Sequence, residues 1–193
     1  MTKRIAIIQG HPDTGERHLC HALADAYAEG ARTAGHEVRR IDAAALDMAV
    51  LRSKQDFETG EPPPDIRAAQ ETIAWASHLV ILHPLWMGMV PALLKAFLEQ
   101  VLRPGFAYRF DRRGRPERLL TGRSARIVVT MGMPALAYRW LFGAHGVKAL
   151  RRSVLWLCGI APVRTTLIGS VDSGRGIASR WQEKLRELGH AAA

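Results

Sequence analysis

Two short stretches of this chain collect residues suited to binding chemistry. The first is Gly10-His11-Pro12-Asp13-Thr14-Gly15, running on to Arg17 and His18. It precedes an apolar pattern at helical spacing, so its end lies at a helix N-terminus. Unpaired amides and the helix dipole attract phosphate there. His11, Arg17 and His18 add donors and positive charge at the same end. Neither Gly-x-Gly-x-x-Gly nor Gly-Lys-Ser/Thr accompanies the loop, so a dinucleotide fingerprint and a nucleotide triphosphatase lack support. A loop histidine can equally be a local hydrogen-bonding residue, and both readings of His11 stay open. The second stretch is His83-Pro84-Leu85-Trp86-Met87-Gly88-Met89-Val90-Pro91. Proline and glycine constrain its backbone and expose amides, while Trp86 and Met87 offer a flat, polarizable surface. That combination suits an aromatic heterocycle whose edge accepts main-chain hydrogen bonds. A core tryptophan beside a turn is the alternative.

The elements that must position these loops follow from periodicity. Residues 4–8 form a short apolar run, as expected of a strand covered on both faces. Leu19, Leu23, Ala26, Tyr27, Gly30, Ala31 and Ala34 recur at helical spacing, and Gly35 stops that helix. Residues 37–42 are polar enough for an edge strand, which completes a right-handed βαβ unit. A helix over 66–76 leads to a central strand at 79–82. Pro91 then opens a helix whose buried face is Leu93, Leu94, Phe97, Leu98, Val101 and Leu102. A buried strand at 127–129, a helix over 147–158, a strand at 163–168 and a closing helix from Ile177 complete the chain. Residues 53–65, with Gly60 and Pro62-Pro63-Pro64, are expected to be a loop that covers the site or contacts another subunit.

Five strands alternating with helices predict one α/β domain over residues 1–193, with a doubly wound five-stranded parallel sheet in the order 2-1-3-4-5. The order reverses between the first and third strands. Ligands bind beyond the carboxyl ends of the strands at such a point. The loops 10–18 and 83–90 flank it.

Composition narrows the classes. At 193 residues, 48% hydrophobic and 23% charged, the chain suits one globular core. The apolar run after Lys3-Arg4 is too short for a secretory signal, and no stretch approaches the ~20 apolar residues of a membrane span. Cys20 and Cys158 show no metal-type spacing and read as buried thiols in a reducing cytoplasm. The net charge of +9 raises nucleic-acid binding. Its clusters, Arg109 to Arg118 around Gly114 and Pro116, and Lys148, Arg151 and Arg152, carry no recognition motif. A solvated basic surface that draws in phosphorylated cofactors fits better.

The run from Pro84 to Phe97, Pro84-Leu85-Trp86-Met87-Gly88-Met89-Val90-Pro91-Ala92-Leu93-Leu94-Lys95-Ala96-Phe97, continues through Val101 to Gly105-Phe106-Ala107-Tyr108. It resembles the flavodoxin-like NAD(P)H:quinone oxidoreductases of the DT-diaphorase type. Weaker similarity covers His11-Pro12, Val129-Thr130 and Cys158-Gly159-Ile160. The resemblance implies a flavin, FAD with FMN as the alternative, and NAD(P)H as the donor. It implies two-electron reduction of quinone-like small acceptors by a cytoplasmic homodimer. It places His11 at the flavin phosphates and Pro84, Leu85, Trp86, Met87 and Gly88 around the ring. Thr130, Met131 and Gly132 fall at the ring's far edge, and Tyr138 and His145 at hydride transfer. Arg17-His18-Leu19 replaces the family's Ser-Phe-Asn-like residues, and Thr130-Met131-Gly132-Met133-Pro134 replaces its Thr-Gly-Gly-like turn. Family members also include transporter-associated regulatory subunits, which would bind flavin without turnover.

Overall fold

The computed structural model describes residues 2–193, the side chain of Arg175 excepted. In chain order the elements are β1 (Arg4–Gln9), α1 (Leu19–Thr33), β2 (Glu37–Asp42), α2 (Lys54–Glu58) and α3 (Pro64–Trp75). Then come β3 (His78–Pro84), α4 (Ala92–Val101), β4 (Tyr108–Phe110), β5 (Pro116–Arg118) and β6 (Ser124–Thr130). The chain closes with α5 (Ala135–Trp140), α6 (His145–Ala149), β7 (Val163–Ile168) and α7 (Arg175–His190). Five strands run parallel in the order β2-β1-β3-β6-β7. With the β4–β5 hairpin set aside, this is the expected 2-1-3-4-5.

Strand alternation sends apolar side chains to both faces of the sheet. Ala6, Ile8, Leu79, Ile81, Ile127 and Val129 pack with Ile66 and Ile73 of α3 and Leu94 and Phe97 of α4. Ile5, Ile7, Val80, Leu82 and Val128 pack with Leu23 and Tyr27 of α1 and Leu185 of α7. α1 and α7 touch backbone to backbone, because a Cβ on Gly30 would lie 1.9 Å from the Arg186 carbonyl oxygen. Cys20 and Cys158 are buried and unpaired, and burial pushes their thiols up to about 11 and about 12.

Three segments differ from the periodicity. The stretch 53–65 contains α2, capped by the Ser53 hydroxyl accepting from the Asp56 amide at 3.0 Å. Arg103, just past the end of α4, donates to the Asp56 and Gly60 carbonyls at 2.8 and 2.6 Å. That anchors the segment at the end of α4 opposite its loop-facing N-terminus, so Asp56 to Gly60 do not cover the site. The helix expected over 147–158 is α6 continued by a π-helical turn, Leu150–Leu155. The arginine-rich stretch is the β4–β5 hairpin, where Arg109 pairs with Glu117 and Asp111 accepts from the Arg113 and Arg115 amides.

His78 and His83 of β3 are buried to 2% and 1% exposure, and burial lowers both imidazoles to a pKa of about 4. In an unfolded chain a histidine titrates near 6.5. Between those values the unfolded state holds protons that the folded state refuses. Stability is therefore full above about pH 6.5 and falls as the pH drops toward 4. Urea unfolding should register a loss on the order of a few kcal/mol across that window, and His83→Gln should flatten the slope.

Candidate functional site

Ladder bonds at the carboxyl ends of β1, β3 and β6 bring three loops together. The Gly10 amide donates to the Leu82 carbonyl at 2.8 Å, and the Leu85 amide to the Thr130 carbonyl at 2.8 Å. The loop after β1 is organised by its own side chains. Gln9 accepts from the His11 amide at 3.0 Å, His11 Nδ1 accepts from the Asp13 amide at 3.2 Å, and Asp13 accepts from the Gly15 amide at 2.8 Å. Neutral His11 thus carries its proton on Nε2. Burial, then the neighbouring His18 and His21, holds its pKa below the ordinary value.

His18 ends this loop at the N-cap of α1. Its ring stacks on His11 at 3.9 Å between centroids and bonds Asp13 at 2.6 Å. His21 lies on the same face one turn on, accepting the His18 amide at 3.1 Å and sitting 5.4 Å from His11. Among the described residues, the Leu19 and Cys20 amides have no protein acceptor, as at any helix start. The result is a donor-rich end. Arg17 is not part of it, because it pairs with Asp25 on α1 alongside Arg40.

The loop after β3 is a tight turn. Trp86 and Met89 exchange both backbone hydrogen bonds, at 3.1 and 2.9 Å. Met87 and Gly88 between them have φ of 48° and 76°. Two consecutive left-handed residues make a type I′ turn. A methionine there costs on the order of 1 kcal/mol. The Met87 and Gly88 amides donate to no group among the described residues. Trp86 is half exposed, Met87 fully exposed, and the Trp86 indole meets His11 edge-on at 6.3 Å.

The turn is braced from below. Tyr138 of α5 is 1% exposed and donates its hydroxyl to the Gly88 carbonyl at 3.2 Å. Burial pushes that hydroxyl's pKa up, and the Val147 and Gly146 amides counter it. Gly146 of α6 lies so close that an added Cβ would be 2.3 Å from the Gly88 carbonyl oxygen. His145 beside it is exposed, its ring against Gly143. Tyr138 and His145 therefore differ: the phenol is a buried brace, and the imidazole faces solvent.

In the loop after β6 the three expected residues also part company. The Thr130 hydroxyl meets Cys20 Sγ at 3.2 Å and faces α1. Met131 is buried, its amide donating to the Ile168 carbonyl at 2.8 Å. Gly132 is exposed and its amide donates to no group among the described residues. Pro84 and Leu85 hold the turn to β6, with the buried His83 ring donating from Nδ1 to the Pro84 carbonyl at 2.8 Å. Sequence reasoning missed Gln9, whose Nε2 is buried without a partner, and His21. His21 could have been found by its three-residue spacing from His18; Gln9 could have been found as a polar residue ending an apolar strand.

Comparison with known proteins agrees with this architecture. NAD(P)H dehydrogenase [quinone] 1 of Rattus norvegicus is 25% identical over 217 residues, covering 96% of this chain and 77% of that protein. An FMN-dependent NADH:quinone oxidoreductase of Ruegeria pomeroyi is 29% identical over 148 residues, 69% of this chain and 72% of that protein. The crystal structure of NAD(P)H:quinone oxidoreductase from Methanothermobacter marburgensis superposes with a TM-score of 0.79 at 21% identity, covering 100% of both chains. The profile described as a flavodoxin-like fold matches residues 3–191, and on that match, over the sheet and loops just described, the chain belongs to the flavodoxin-like fold family.

Proposed function

We propose that this chain is a flavin-dependent NAD(P)H oxidoreductase that reduces quinone-like small acceptors by two-electron transfer. The observation that carries this is the meeting of a donor-rich helix start with a braced turn whose Met87 and Gly88 amides are unused. A phosphate at one end and a flat, electron-rich ring at the other fit such a cradle. The orphaned Gln9 Nε2 and the free Gly132 amide add donors at its margins. Bound flavin would supply the redox chemistry, taking two electrons and a proton from NAD(P)H and passing them to the acceptor.

The protein's part is binding and charge placement. The Leu19 and Cys20 amides, His11 Nε2–H and His18 would hold the phosphate. The Trp86 indole and Met87 would line the ring, and the Met87, Gly88 and Gly132 amides would meet the negative charge that develops on reduction. Tyr138 acts as a positioning residue that fixes Gly88, and the exposed His145 is the candidate to touch the acceptor. The named relative from Ruegeria pomeroyi supports FMN over FAD. A homodimer would cover the exposed Leu141 and Phe142 beside the site. No helix among the described residues is long and apolar enough to cross a membrane.

Steady-state oxidation of NADPH and NADH with a soluble quinone, using FMN-loaded protein, tests the activity. Turnover that depends on added FMN is expected. Flavin bound without turnover would leave a binding or regulatory role instead. Tyr138→Phe should weaken FMN binding about fivefold, from one lost hydrogen bond of about 1 kcal/mol, with kcat at saturating FMN kept within about twofold. A collapse of kcat with unchanged FMN affinity would make Tyr138 a catalytic residue rather than a brace.

A further inference from the structure

The free edge of the sheet carries backbone groups with nothing paired to them. On its inner side β7 is bonded to β6: the Ala125 amide donates to the Pro162 carbonyl at 2.9 Å, and the Met131 amide to the Ile168 carbonyl at 2.8 Å. By the two-residue alternation of a strand, Val163, Thr165 and Leu167 turn their N–H and C=O groups outward. Those groups have no partner among the described residues. The same three residues line an open groove of about 1020 Å³, whose opposite wall comes from α5, α6 and the π-helical turn.

That groove has two chemistries. Leu136 and the Trp140 indole, 68% and 76% exposed, give it an apolar wall. Arg139, Lys148, Arg151 and Arg164 line it as well, and no aspartate or glutamate does. None of the four cations forms a salt bridge among the described residues. One edge arginine is ordinary protection against strand pairing. Four unpaired cations around an apolar wall exceed that need and favour an anionic occupant.

We propose that this groove docks an extended acidic segment of another protein, which adds to β7 as a sixth strand. The outward groups of Val163, Thr165 and Leu167 bind its backbone. Leu136 and Trp140 take its apolar side chains, and the four cations take its carboxylates. A second copy is the wrong occupant. Two β7 edges paired about a two-fold axis would bring the same four cations together on a chain of net charge +9.

Fluorescence anisotropy with two labelled peptides, Glu-Val-Glu-Leu-Glu-Val-Glu and its Lys-for-Glu counterpart, tests this on the full chain. The acidic peptide should bind in a salt-sensitive way and the basic one should not. Lys148→Glu with Arg151→Glu, both surface changes, should weaken the acidic peptide about tenfold or more. Thr165→Pro removes one outward N–H without touching the β6 ladder and should weaken it severalfold. If Thr165→Pro fails to fold, the charge-reversed pair still decides. Equal binding of both peptides, undiminished binding to the charge-reversed protein, or no binding overturns the proposal. So does sedimentation showing a dimer that the same charge reversal dissociates, because a second copy would then fill the groove.

Discussion

The hydrogen bond from the buried Tyr138 hydroxyl to the Gly88 carbonyl, with Gly146 pressed against the same oxygen, holds a left-handed turn that the backbone would not otherwise keep. Met87 sits at a φ of 48° only because Trp86 and Met89 close both bonds around it and α5 and α6 support it from beneath. The exposed indole, the unused amides and the approach of His11 to Trp86 all depend on that turn. Its own placement depends on the Leu85 amide reaching the Thr130 carbonyl, one step beyond the β3–β6 ladder. In the proposed site, such a rigid turn would present donors fixed before charge appears, without reorganisation.

The proposed phosphate end works by different means. Its charge does not come from arginine, since Arg17 and Arg40 share Asp25 on the flank of α1. Its donors come from the helix start and from the cluster of His11, His18 and His21. Burial, then the neighbouring His18 and His21, holds the pKa of His11 below its ordinary value, which favours a neutral ring that donates from Nε2. The excess positive charge of the chain lies elsewhere, and a share of it lines the β7 edge.

Much of the fold was legible because fully buried parallel strands are continuous apolar runs: 4–8, 79–82 and 127–129 could hardly be anything else. The polar edge strand 37–42 then fixed the order. The β4–β5 hairpin was not legible, because strands of three residues carry no usable periodicity. The π-helical turn after α6 was invisible for a related reason, since one widened turn barely disturbs a helical pattern. In the site, loop positions were readable from Gly, Pro and His types, whereas side-chain direction was not. Thr130 turning to Cys20, Arg17 turning to Asp25 and Tyr138 turning under Gly88 are tertiary choices, made by partners far away in sequence.

The central claim is that the braced turn and the α1 start form one cradle for flavin mononucleotide. Titrating FMN into ¹⁵N-labelled protein and following its amide resonances tests that claim most directly. The Met87, Gly88 and Gly132 amides should shift together with those of Leu19 and Cys20, at one common saturation point. Shifts confined to other residues, or two groups saturating at different FMN concentrations, would contradict it.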